Sequence, residues 1–216
     1  MTGLMTKDFL VMRNGLKSYL LIMVLYAVMA WLDILNFGFI ITFIQVMLMV
    51  LPITAFSYDE LAKWDRYAMS LPLGRGKVVG ARYLFVLALT LCTTALGLGG
   101  TAMLTLVHKA DAVEMLLTLE VSTTIGLLVP AIMLPLCYKL GAERARPYLY
   151  AIIFIPTIAF VLLAKAEIID FSSLSRLEAL SPSAILGGGV LLPAAGLAAL
   201  AVSYLISCRV TAGKEY

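Results

Sequence analysis

Few residues in this chain are of types that do chemistry, and their spacing argues against most catalysis. No Gly-x-x-x-x-Gly-Lys-Ser/Thr run is present, so the chain has no P-loop with which to hold ATP itself. Gly74, Gly76 and Gly80 have the wrong spacing for a dinucleotide fingerprint and follow no predicted strand. The single histidine, His108, stands beside Lys109 without a second ligand, and reads as an interfacial residue rather than a zinc ligand. Cys92, Cys137 and Cys208 lie far apart, each within or at the end of an apolar stretch. They lack metal-ligand or redox spacing and read as small buried apolar residues. Gly-x-Ser-x-Gly and His-Glu-x-x-His runs are missing as well.

Two carboxylates, Asp33 and Glu120, border or enter apolar stretches. An ionisable group inside a bilayer is costly, so each is a functional candidate by default. Both fall near the outer edge of a predicted span, where an interfacial carboxylate is the simpler reading. Ion-coupled transport calls for charges near the midplane, at discontinuous helices. The midplane polar groups here are neutral: Thr42, Gln45 and Thr157, which are candidates for lining a cavity.

The densest chemistry lies between positions 57 and 82. Asp59, Glu60, Lys63, Asp65, Arg66, Arg75, Lys77 and Arg82 flank or interleave Trp64 and Tyr67. Leu61, Trp64, Ala68 and Leu71 recur at helical spacing, and Pro72 with Gly74 ends the pattern. The spacing predicts a short helix with one aromatic and apolar stripe among charges of both signs. A solvated connecting helix would look like this, and so would a protein-docking patch. Mixed charge argues against simple binding to anionic lipid.

The elements that hold this segment follow from composition. Of 216 residues, 62% are apolar and 13% charged, and the mean hydropathy is +1.00. A soluble domain carries about 25% charged and about 45–50% apolar residues. The chain is therefore expected to be an all-α integral membrane protein, a single domain over 1–216. Stretches without charge or histidine run over 18–32, 34–58, 83–107, 121–138, 147–164 and 179–208. A helix needs about 20 residues to cross the hydrocarbon, so six spans are predicted, the first of them short. No small-x-small cleavage site follows the basic N-terminus, and its apolar run is taken as an uncleaved span.

Lys and Arg set the expected orientation. Lys7, Arg13, Lys17, Lys63, Arg66, Arg75, Lys77, Arg82, Lys139, Arg144, Arg146, Arg209 and Lys214 fall in one alternating set of segments, and only Lys109, Lys165 and Arg176 in the other. That bias puts both termini and the 58–82 loop in the cytoplasm. Met5, Phe9, Met12 and Leu16 repeat on one stripe, with Lys7, Asp8, Arg13 and Lys17 off it. This predicts an interfacial helix before the first span. Ile168, Phe171, Leu174, Leu177 and Leu180 predict a short external helix or helical hairpin before the last span. Gly187, Gly188, Gly189 and Pro193 predict a bent or irregular outer half for that span.

The run Tyr58-Asp59-Glu60, then Lys63-Trp64-Asp65-Arg66-Tyr67, then Ser70-Leu71-Pro72-Leu73-Gly74-Arg75 resembles a hallmark segment of bacterial type-2 ATP-binding-cassette exporter permeases. The likeness extends to the Lys7-Asp8 pair, the length and the span count, and it is nearest to the permeases of phenol-soluble-modulin peptide exporters. The resemblance implies a half-transporter that pairs with a second permease, as a homodimer or heterodimer, and exports amphipathic peptides or similar hydrophobic cargo. It implies a separate cytoplasmic ATPase subunit carrying the ATP and Mg, with no cofactor in this chain and no enzyme activity of its own. It also implies a bacterial cell-membrane location, an elbow helix at the N-terminus, a coupling helix between spans two and three, and external helices between spans five and six. Asp59, Glu60, Lys63, Trp64, Asp65, Arg66, Tyr67 and Leu71 would form the ATPase-coupling interface, and the second and fifth spans would line the cavity. Lipid is an expected partner and nucleic acid is not; no metal site is expected. A membrane substrate-capture subunit of a vitamin-type importer is the alternative, and it would not need the charged aromatic segment.

Overall fold

The computed structural model describes residues 2–32, 37–64, 67–68, 74–108, 112–166 and 182–213, and every regular element among them is helical. α1 runs Thr2–Trp31, α2 Phe37–Leu61, α3 Arg75–His108, α4 Ala112–Leu140, α5 Ala142–Lys165 and α6 Pro182–Ala212. Among the described residues, four segments are each long and apolar enough to cross a bilayer: Gly76–Met103, Val113–Leu140, Ala142–Lys165 and Leu191–Ala212. α1 supplies a fifth when its two parts, Thr6–Arg13 and Lys17–Tyr26, are taken together across a 62° bend. α2 is a 25-residue helix whose charged residues, Asp59 and Glu60, lie at its end. Of the external helix predicted over 165–182, positions 167–181 lie outside the described residues, as does Asp33.

The helices outrun the charge-free stretches of the sequence. α4 begins at Ala112 rather than near 121 and carries Glu114 and Glu120 within it. α6 stays helical through Gly187–Gly189 and Pro193, where an irregular outer half was expected. The reason is common to both. A charge or a glycine interrupts an apolar pattern, but in hydrocarbon each backbone amide and carbonyl must find its partner inside the helix.

α4 is the central post and packs against α2, α3, α5 and α6. More than half of its apolar window is buried, whereas none of the α5 window is. Leu127, Met133, Leu134 and Cys137 of α4 meet Ile53 and Phe56 of α2, Val79, Tyr83 and Val86 of α3, and Leu200 of α6. A smaller cluster of Met12, Leu51, Ala55 and Phe85 holds α1 against α2 and α3.

Lipid tails are as apolar as leucine, so helix association here depends on close approach and polar contacts rather than on burial from water. At the α4–α6 contact, a Cβ on Gly196 would stand 3.1 Å from the Leu127 Cβ, closer than side chains normally pack. Nearby, Pro135 has no amide hydrogen, which frees the carbonyl of Ala131 four residues earlier. Ser203 Oγ on α6 donates to that carbonyl. The Tyr83 hydroxyl on α3 lies 2.7 Å from both Ser203 Oγ and Ser207 Oγ, completing a polar rung across three helices. Ser203→Ala is expected to cost about 1–2 kcal/mol, because it orphans the Ala131 carbonyl. Ser207→Ala should cost less, since Tyr83 keeps Ser203. Thermal unfolding of the two variants in detergent checks the order.

Candidate functional site

The start of α1, the end of α2, the start of α3, the end of α4 and the start of α5 converge at one end of the bundle. α2 ends there in a tight turn, with Ala62 N donating to Tyr58 O and Lys63 N to Glu60 O. Lys63 itself adopts φ 50°, a conformation uncommon outside glycine, asparagine and aspartate. The turn sends the chain away from the α2 axis immediately after two consecutive carboxylates, Asp59 and Glu60.

Asp59 is turned inward. It is 5% exposed, beside Asp8 at 4% and Arg82 at 6%. Lys7 Nζ donates to Asp59 Oδ1 at 2.7 Å and lies 3.1 Å from Asp8 Oδ1. Arg82 Nη1 is 3.2 Å from Asp8 Oδ2, and its Nη2 donates to Asp59 Oδ2. Two cations and two carboxylates from α1, α2 and α3 thus form one neutral cluster, the arrangement that a low-dielectric site requires of buried charge. Aromatic faces close it. The Arg82 guanidinium sits 4.7 Å from the Phe56 ring centroid, and Lys7 Nζ sits 4.4 Å from that of Trp64. Phe56 stacks edge-on against Tyr138 of α4 with centroids 4.8 Å apart.

Glu60 points the other way. Its Oε2 accepts from the backbone amides of Ala142 at 2.7 Å and Glu143 at 3.3 Å, at the start of α5. Arg146 Nη2 donates to Ser57 Oγ one turn earlier on α2, at 3.2 Å. Beyond the turn, Lys63 is exposed, Trp64 is half-buried, and Tyr67 is 58% exposed with its ring 5.1 Å from that of Trp64. Asp65, Arg66 and Leu71 lie outside the described residues.

The eight coupling candidates therefore separate by surroundings. Asp59 and Glu60 engage other helices of the same chain, Trp64 is half-buried beside Lys7 of α1, and Lys63 and Tyr67 are exposed. Among the cavity candidates, the Thr42 and Thr157 hydroxyls are exposed and donate to the Gly38 and Ile153 carbonyls of their own helices. Gln45 is buried against α4, where a Cβ on Gly126 would stand 2.9 Å from its Nε2. It borders a small pocket with Thr90 and Thr93. Glu120 lies inside the α4 span, and its Oε2 is buried without a hydrogen-bond partner.

Sequence reasoning did not find Asp8, Arg82 or the Tyr83–Ser203 rung as working groups. The helical stripe of the sequence places Asp8 on the polar side of an interfacial helix. Instead Asp8 and Met12, one turn apart, face inward while Phe9, Leu10 and Val11 are exposed. The available signal was Arg82 itself, a charge leading directly into a long apolar run.

Residues 3–211, nearly the whole chain, match the family described as ABC-2 family transporter protein. The chain belongs to that family. No curated protein and no solved structure matches it. An ABC-2 protein of this kind is the membrane subunit of an ATP-binding-cassette transporter. It sits in a lipid bilayer, works with an ATP-binding-cassette ATPase, and is a transport subunit, generally not itself catalytic.

Proposed function

We propose that this ABC-2 permease is half of an exporter, and that the segment just past α2 seats in a separate cytoplasmic ATPase. The observation that carries the reading is the division at the end of α2. Lys63 and Tyr67 are exposed and Trp64 is half-buried at the boundary, while the neighbouring Asp59 and Glu60 are tied to α1, α3 and α5. A docking element must do both: present aromatic anchors outward and be bound to the helices that it has to move. Asp65, Arg66 and Leu71 complete the docking face by the motif. ATP and Mg bind in the partner subunit.

The rest of the reading follows the same lines. The chain crosses the membrane six times with both termini in the bacterial cytoplasm, an orientation favoured by the bias of Lys and Arg. The part of α1 before its 62° bend serves as the elbow helix. Two copies, or this chain and a related one, enclose a cavity lined from α2 and α5, with the exposed Thr42 and Thr157 as its polar groups, whereas Gln45 is buried against α4 within one chain. The cargo is an amphipathic peptide or a comparably hydrophobic molecule.

Purification of the tagged chain from native membranes in mild detergent should co-isolate an ATP-binding-cassette ATPase, identified by mass spectrometry. In inside-out vesicles, ATP should drive a dansyl-labelled amphipathic helical peptide into the lumen. A chain that purifies without any such ATPase overturns the docking assignment. Vesicles that hold the ATPase but leave the peptide outside overturn the cargo.

A further inference from the structure

The start of α5 lacks what most helix starts carry. Its N-cap is Gly141, at φ 87° and ψ 161°, which has no side chain to accept from the first amides. Gly141 N donates to Cys137 O at 2.9 Å and Ala145 N donates to Gly141 O at 3.1 Å. One residue thus closes α4 and opens α5. The positive φ favours glycine. The lack of a side chain has a second consequence: a Cβ at 141 would stand 2.8 Å from Glu60 Oε1. The missing local cap is what makes room for a carboxylate arriving from α2.

Glu60 takes the vacated role. Its bonds to the Ala142 and Glu143 amides satisfy two of the four donors that a helix start leaves unpaired, and its charge opposes the positive end of the helix dipole. Arg146 to Ser57 adds a second tie between the same two helices.

α5 has little else to hold it. Its buried side chains, Ala142, Ala145 and Leu149, all lie in the first turns. Every residue from 153 to 163 is exposed in the chain. A rod anchored at one end moves with its anchor.

We propose that Glu60 is a positioning residue that transmits movement of the docking segment to α5. It need not touch the ATPase to do so. This assignment rests on the reading of the chain as an ATPase-coupled permease. In it, the last turn of α2 distributes motion two ways: through Asp59 to α1 and α3, and through Glu60 to α5.

The test uses the chain in complex with its ATPase, in nanodiscs, by amide hydrogen exchange without nucleotide and after trapping with ATP and vanadate. In the wild type, exchange over 142–149 should change between the two states. Glu60→Ala should keep the ATPase bound, speed exchange at 142–145 about tenfold without nucleotide, and abolish the nucleotide-dependent change. Glu60→Gln, which still offers an amide oxygen, should restore most of the protection and of the nucleotide response. Gly141→Ala should reproduce the Glu60→Ala pattern through strain and exclusion of the carboxylate. A Glu60→Ala complex that keeps the nucleotide-dependent change, or that loses the ATPase, overturns the assignment and leaves the permease reading standing. A wild-type chain that binds no ATPase overturns both.

Discussion

Arg82→Ala is expected to destabilise the folded chain by about 3–5 kcal/mol, the cost of breaking a buried ion cluster by removing one partner. Asp8 and Asp59 are almost fully buried and are held apart by Arg82, which reaches one with each terminal nitrogen. Without it, Lys7 alone would face two carboxylates, and it is the more exposed cation, its side chain 21% accessible. The Phe56 face would lose its guanidinium too. Arg82→Lys should rescue little, because an ammonium lacks the planar fork whose two nitrogens reach Asp8 and Asp59 separately while the guanidinium lies on the Phe56 ring. Arg82→Met combined with Asp8→Asn should recover much of the loss, since it leaves the Lys7–Asp59 pair balanced. Thermal unfolding in detergent checks this series. An Arg82→Ala variant that melts with the wild type would show that the cluster carries no net stability.

Trp64→Ala is expected to weaken ATPase binding about tenfold to a hundredfold, with a smaller effect on the fold than Arg82→Ala. Trp64 is half-buried, with Lys7 over its ring and Tyr67 beside it, so it stands between the buried cluster and the surface. Aromatic residues held rigidly at such a boundary make the anchors of interfaces. Trp64→Phe keeps a face for Lys7 and should lose less. Titration of the purified ATPase against permease in nanodiscs measures the change. Equal affinity for wild type and Trp64→Ala would remove Trp64 from the docking face.

The membrane class was legible because hydropathy and charge bias are properties of the sequence read in one dimension. The docking segment was legible because its aromatic stripe and motif are local. What escaped were the contacts made across the chain. Asp8 and Arg82 lie far apart in sequence, and only the antiparallel meeting of α1, α2 and α3 brings their charges together. The role of Glu60 depended on a glycine at 141 whose positive φ no local pattern announces. The rung at Ser203 depended on a proline four residues beyond the carbonyl it frees, on a different helix. Helix ends were misplaced for a related reason: Glu114 and Glu120 end an apolar run without ending α4.

The central claim is that the surface just past α2 meets an ATP-binding-cassette ATPase, and photo-crosslinking from that surface tests it most directly. A photoreactive amino acid placed at Tyr67 or Lys63, both exposed, should yield on illumination of native membranes an adduct with such an ATPase. The same group at Phe154, in the apolar part of α5, should yield none. An ATPase adduct absent at 63 and 67, in a chain that still co-purifies with the ATPase, would contradict the account.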